Sequence, residues 1–152
     1  MRTPQELTER YRCDGRKVTP QRLAVFEALH GDRSHPTAEV VWDRVRGVMP
    51  SMSLRTVYQV LNDLVELGEV NAVDVGSGPV RFDPNVGEHD HFVCERCGRV
   101  VDVESESPVQ IRQPDDAFFV VDQIHVIFRA RVPIAHGRRS DADRRAVPCT
   151  SE

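Results

Sequence analysis

The stretch EHDHFVCERCGRVVDV, residues 88–103, gathers two histidines, four carboxylates and a Cys-x-x-Cys into one short run. Imidazole, carboxylate and thiolate all bind transition metals, but they favour different ions. Paired thiolates favour zinc, whereas imidazoles with carboxylates suit Fe2+, Mn2+ or Zn2+. Cys94 and Cys97, followed by Gly98 and flanked by β-rich segments, have the form of a knuckle in which two thiolates grip one side of a zinc ion. Suppose the flanking segments pair as a hairpin with Val93 opposite Val100. His91 then faces Asp102 and His89 faces Glu104. Side chains alternate along a strand, so His89, His91 and Asp102 share one face, with Glu104 as an addition. The run thus reads as two ion sites of different chemistry. The plainer alternatives are a reduced or redox-active cysteine pair and strand histidines without function.

The rest of the chain must position these groups. Its 152 residues, 39% hydrophobic and 29% charged, suit a soluble globular protein of one or two small domains. No apolar run approaches the ~20 residues of a membrane span, and the N-terminus MRTPQELTER lacks the apolar core of a secretory signal. The expectation is a cytoplasmic protein with no membrane partner, whose four cysteines serve metal or redox chemistry rather than disulfides. Charge is unevenly spread. Residues 1–60 carry ten Arg/Lys against seven Asp/Glu, residues 61–128 carry four against fourteen, and residues 129–152 carry six against three. A mildly basic first part can sit on a polyanion, and an acidic middle suits cations.

PQELTERYRC reads as a short helix with Leu7 and Tyr11 inward. TPQRLAVFEALH gives a second, with Thr19 as N-cap, Pro20 at the first helical position and Leu23, Phe26 and Leu29 as its buried stripe. A third is capped near Thr37 and stopped by Gly47 and Pro50, with Val41, Val45 and Val48 facing in. The fourth, SLRTVYQVLNDLVELG, opens at Ser53 and closes at Gly68. At 100° per residue Leu54, Val57, Tyr58, Leu61, Leu64 and Val65 fall on one face, and Arg55, Thr56, Gln59, Asn62, Asp63 and Glu66 on the other. Its first turns offer Arg, Thr and Gln, which hydrogen-bond base edges and phosphates, while its last turns carry carboxylates that phosphates repel. EVNAVDVGSGPVRFD then forms a hairpin around Gly-Ser-Gly-Pro. The last three helices and the hairpin make a winged helix-turn-helix with the fourth helix as reader, against the alternative of a small α+β core with a solvated helix face.

These residues resemble the ferric uptake regulator family of metal-dependent transcriptional repressors over roughly residues 8–130. The likeness rests on RKVTPQRLAVFEAL, HPTAEVV, SLRTVYQVLNDLVELGEV, RFD and HDHFVCERCGRVVDV, in that order and spacing. It implies an α+β protein: a winged-helix DNA-binding domain (1–80), a hinge (81–87) and a small α/β dimerisation domain that binds metal (88–135); the polar, Pro-containing stretch 136–152 reads from its composition as a disordered tail. It also implies a homodimer on a palindromic operator in double-stranded DNA, with no small-molecule substrate and no enzymatic activity. Carried over residue by residue, the regulatory Fe2+ or Mn2+ site falls on His35, Asp83, His89, His91 and Asp102. Asp83 together with Asp102 looks like the peroxide-sensing, catalase-repressor type. In that subgroup Fe2+ reacts with peroxide and the oxidant hits a ligating histidine, here His35 or His89. The alternative is an Fe2+-responsive repressor of iron uptake. By the same resemblance Lys17 or Arg16, Arg22, Arg55, Thr56, Tyr58 and Gln59 approach DNA.

The chain departs from the family in one place. A second Cys-x-x-Cys usually completes a four-thiolate zinc site, but Val132 and Ala135 stand at those positions. Two thiolates make an incomplete tetrahedron. Either His136 and Cys149 complete it, or Zn2+ is held weakly at Cys94 and Cys97, or the site is lost. His125 lies one position out of register with a ligand of a further family site. A zinc deaminase would show His-x-Glu and Pro-Cys-x-x-Cys, which are absent, and a thiol oxidoreductase would place its Cys-x-x-Cys at a helix N-terminus.

Overall fold

The computed structural model describes residues 1–76, 78–104, 106 and 126–130, and the chain divides into two compact units after Glu88. The first unit runs α1 (Pro4–Cys13), α2 (Pro20–Leu29), α3 (Ala38–Val48), α4 (Leu54–Glu66), β1 (Asn71–Val73) and β2 (Arg81–Asp83). Each helix starts where a Ser or Thr hydroxyl accepts an otherwise orphaned backbone N–H. The caps are Thr3, Thr19, Thr37 and Ser53, and Thr3 forms a full capping box with Glu6. Such caps contribute about 1 kcal/mol each.

The end of α4 is equally defined. Gly68 adopts φ 68°, its N–H donates to the Val65 carbonyl (3.0 Å), and the Glu69 N–H donates to that of Leu64 (2.9 Å). This Schellman arrangement needs a residue that tolerates the left-handed region, and it turns the chain into the hairpin. β1 and β2 pair antiparallel, with Asn71 opposite Asp83 and Val73 opposite Arg81. Glu69, buried at the hairpin's base, accepts the Arg2 N–H (3.0 Å) and pairs with the Arg2 guanidinium, so its charge is compensated.

The four helices close on Leu7, Tyr11, Phe26, Leu29, Val57 and Leu61, all fully buried. Two expected core positions are corrected. Leu23 is 37% exposed because α2 buries Val25, Phe26 and Leu29, while Arg22, one residue before Leu23, lays its guanidinium 5.1 Å from the centre of the Tyr11 ring. Val48 is 81% exposed at the last turn of α3; Met52 fills the core beyond it, and the Trp42 indole N–H donates to the Met52 carbonyl (2.8 Å). In α4, Tyr58 lies outside the buried face and Val60 inside it.

The second unit contains β3 (Asp90–Cys94), β4 (Val100–Val103) and β5 (Ile127–Ala130) in the order β4-β3-β5. β3 pairs antiparallel with β4 and parallel with β5. Val93 stands opposite Val100 and His91 opposite Asp102, the register of the hairpin supposed around the Cys-x-x-Cys turn. The fold is α+β, and no helix among the described residues is long and apolar enough to cross a membrane.

Candidate metal centre and reading helix

In the first unit, two donors expected of the regulatory site meet. His35 Nε2 lies 3.7 Å from Asp83 Oδ1, and both side chains are buried. His35 has φ 50°, a left-handed conformation uncommon outside glycine and asparagine, so surrounding contacts must hold it. The Phe82 N–H donates to the Pro36 carbonyl (2.9 Å), joining this loop to β2, and Arg81 donates to the His35 carbonyl (3.4 Å). On the other side Asp32 accepts the Ser34 N–H (2.8 Å), and Arg44 of α3 pairs with Asp32 and donates to Ser34 Oγ (3.2 Å). Asp83, read from the sequence as a hinge residue, closes strand β2, and its Oδ1 accepts the Asn85 N–H (2.8 Å).

In the second unit the strand register assembles the other donors. His89 Nε2 stands 3.0 Å from His91 Nε2 and 3.8 Å from Asp102 Oδ1, and donor atoms of the three residues lie within 4.8 Å of one another. Nitrogens bound at ~2.1 Å to one ion at angles between octahedral and tetrahedral are roughly 3.0–3.4 Å apart. The imidazole pair therefore already has the separation of two ligands on a common metal, and its chemistry suits Fe2+, Mn2+ or Zn2+. Glu104 lies beyond the end of β4 and is exposed. At the knuckle, the Cys94 N–H donates to the Arg99 carbonyl (2.9 Å) and the Gly98 N–H to that of Cys94 (2.8 Å); Cys94 is buried and Cys97 exposed. Val132, Ala135, His125, His136, Cys149 and the tail lie outside the described residues.

Of the expected DNA contacts, Lys17, Arg55, Tyr58 and Gln59 are exposed. Thr56 is half-buried, its hydroxyl 2.8 Å from Ser53 Oγ at the cap of α4. Arg22 turns inward. Its guanidinium donates to Asp63 Oδ2 (2.5 Å) and to the Lys17 carbonyl (2.6 Å). Arg16, 3.8 Å from Asp63 Oδ1, covers the Tyr11 ring from 5.9 Å, and burial pushes the Tyr11 phenol up to about 12. Two residues that the sequence reading passed over stand out: Asp63, which ties α2 to α4, and Glu39, whose Oε1 accepts the Tyr58 hydroxyl at 2.9 Å. Asp63 reads from periodicity as one of the polar-face residues of α4 and Glu39 carries no signal there, because partners on different helices leave no mark in periodicity.

Comparison with known proteins agrees with this arrangement. The family model described as "Ferric uptake regulator family" matches residues 14–122. The peroxide operon regulator of Bacillus subtilis is 38% identical over 97 residues, covering 64% of this chain and 67% of that protein. The peroxide-responsive repressor PerR of Staphylococcus epidermidis is 36% identical over 88 residues, 58% of this chain and 59% of that protein. The crystal structure of the Vibrio cholerae ferric uptake regulator superposes with a TM-score of 0.64 at 23% identity, covering 83% of this chain and 99% of that one, a likeness of fold. With more than half of its length matched by the family model, the chain belongs to the ferric uptake regulator family.

Proposed function

We propose that this chain is a metal-responsive, DNA-binding transcriptional repressor that works as a homodimer and senses peroxide. One observation carries the reading: two imidazoles and a carboxylate brought to one face of a β-pair, the imidazole nitrogens at ligand separation. In this reading His35, Asp83, His89, His91 and Asp102 hold one Fe2+ or Mn2+, and Cys94 and Cys97 are the thiolates available to Zn2+. Donors drawn from both units make DNA affinity depend on the metal. Bound metal favours one arrangement of the units, in which a dimer presents its two α4 helices to successive major-groove half-sites of a palindromic operator. Lys17, Arg55, Thr56, Tyr58 and Gln59 serve that contact, and Arg22 supports it through Asp63.

Peroxide sensing is supported by the relatives, one a peroxide operon regulator and the other a peroxide-responsive repressor. The roles of these relatives also favour a regulator over an enzyme. Fe2+ held by these residues would supply the electron that activates peroxide. In the net reaction one peroxide oxygen would add to the imidazole ring of His35 or His89 and the other would leave as water, peroxide being the two-electron oxidant; the oxidised ring would lose donor capacity and the repressor would leave its operator. The test is to load the full chain with Fe2+, add dilute peroxide, and follow DNA release alongside mass spectrometry and a zinc determination. The expected result is one added oxygen on His35 or His89 in step with release. Release on iron removal alone, with no oxygen added by peroxide, would replace this reading with an iron-responsive repressor of iron uptake.

A further inference from the structure

Tyr58 is a large aromatic residue left 37% exposed on the first turns of α4, beside Arg55 and Gln59. Its hydroxyl is already committed. The O–H donates to Glu39 Oε1 of α3 at 2.9 Å, and the two residues come from helices that pack side by side. A phenol has one donor and two acceptor lone pairs. With the hydrogen directed to a carboxylate, only acceptor capacity remains for a partner outside the protein. The same hydrogen bond raises the Tyr58 pKa, so the hydroxyl keeps its proton at working pH and the donor and acceptor roles stay fixed.

We propose that Glu39 is a specificity-determining residue: it fixes Tyr58 as a hydrogen-bond acceptor, so that the reading helix selects a base bearing an exocyclic amino group. In the major groove the only base-edge donors are the N6 amino group of adenine and the N4 amino group of cytosine. Guanine and thymine present O6, N7 or O4 there, and an acceptor oxygen backed by a carboxylate is repelled by each. Glu39 thus adds rejection of the wrong base to attraction of the right one. A carboxylate on the DNA-facing side weakens phosphate contact, a cost offset by this discrimination.

The inference rests on α4 as the DNA reader, and the experiment separates the two. Full-length protein loaded with Mn2+ is used to select duplexes from a randomised library, in parallel with Glu39→Ala and Tyr58→Phe; circular dichroism checks that each variant keeps its helices. The wild type is expected to confine one position per half-site to adenine or cytosine, and both variants to lose that confinement. At the selected position adenine is then replaced by 2′-deoxynebularine, or cytosine by the corresponding 4-deamino nucleoside, which removes only the amino group. That change should weaken wild-type binding about 5- to 100-fold, the range of one good base contact, and weaken Glu39→Ala less than twofold. If the wild type enriches a sequence but Glu39→Ala enriches the same one with the same confinement, or if the amino group can be deleted without loss, the inference fails while the reader assignment stands. If the wild type enriches no sequence, both fail.

Discussion

The two units position their candidate metal-binding side chains by different means. In the first, His35 and Asp83 are far apart in sequence, and what brings them together is tertiary: the loop before α3 is joined to β2 by the Phe82–Pro36 hydrogen bond, and the apolar cluster that closes the four helices includes Phe82 itself. In the second, His89, His91 and Asp102 need only one antiparallel strand pair in the right register. One donor set therefore depends on a whole core, and the other on a local alternation of side chains. Damage to the core should reach the first set from a distance, whereas the second should fail only when its strands are altered.

The largest test of that contrast is Phe26→Ala. Phe26 is fully buried and its ring centre lies 5.2 Å from that of Tyr11, so truncation should cost about 3–5 kcal/mol of stability. That is a large part of the margin of a small domain. Urea unfolding followed by helical circular dichroism measures it, and a loss below about 1 kcal/mol would mean that this core does not organise the unit.

Next in size is a test of register. Val101 stands opposite Phe92 and Asp102 opposite His91. Asp102→Ala should weaken metal binding ~100-fold or more, since even partners of ligands cost 10- to 100-fold when lost. The double change Val101→Asp with Asp102→Val keeps the composition and moves the carboxylate by one residue, to the other face of the strand. It should be as defective as Asp102→Ala in a Mn2+ titration. Recovery of affinity in the double variant would show that alternation does not place this donor.

The same contrast explains what could be read from the sequence. The strand register, the helix caps at Thr19, Thr37 and Ser53 and the hairpin were legible, because each depends on neighbours within a few residues. The pairing of imidazole and carboxylate in the second unit follows from side-chain alternation once a hairpin with Val93 opposite Val100 is supposed. His35 and Asp83 came only through resemblance to a family, since no local pattern says that a loop histidine will meet a strand carboxylate. Tertiary contacts also account for the misplaced positions. Leu23 has the spacing of a core residue, yet α2 buries Val25, Phe26 and Leu29 while Arg22 stacks on the Tyr11 ring. Arg22 itself reads as a phosphate contact until Asp63 is seen within 2.5 Å of it.

A smaller effect sharpens how the first set is held. His35 keeps a left-handed backbone that costs a residue with a Cβ roughly 1–2 kcal/mol. In metal-free protein, His35→Gly should therefore be more stable than His35→Ala by about 1 kcal/mol, reversing the usual order in which Ala outranks Gly. Equal stabilities, or the usual order, would mean that the loop relaxes without the imidazole and stores no strain at this donor. No such reversal is expected at His91, which lies in regular strand.

The smallest predicted effect concerns acid. Asp32 anchors the loop that carries His35, and its burial, which alone would raise the pKa, is outweighed by hydrogen bonds from Arg44 and Ser34 that hold it below the ordinary 3.8. A carboxylate whose folded value is depressed contributes stability above the unfolded value and loses it as pH falls through the folded one. The contribution should thus be complete at pH 6 and decline below pH 3.8. Asp32→Asn should lower the urea midpoint at pH 6 by an amount equivalent to at most about 1 kcal/mol, and should flatten the fall of stability between pH 4 and pH 2. The strand donors are held instead by the β3–β4 register, so Asp32→Asn should leave the pairing of β3 with β4 unchanged in hydrogen exchange. Altered protection of both regions would mean that the two donor sets are not supported independently.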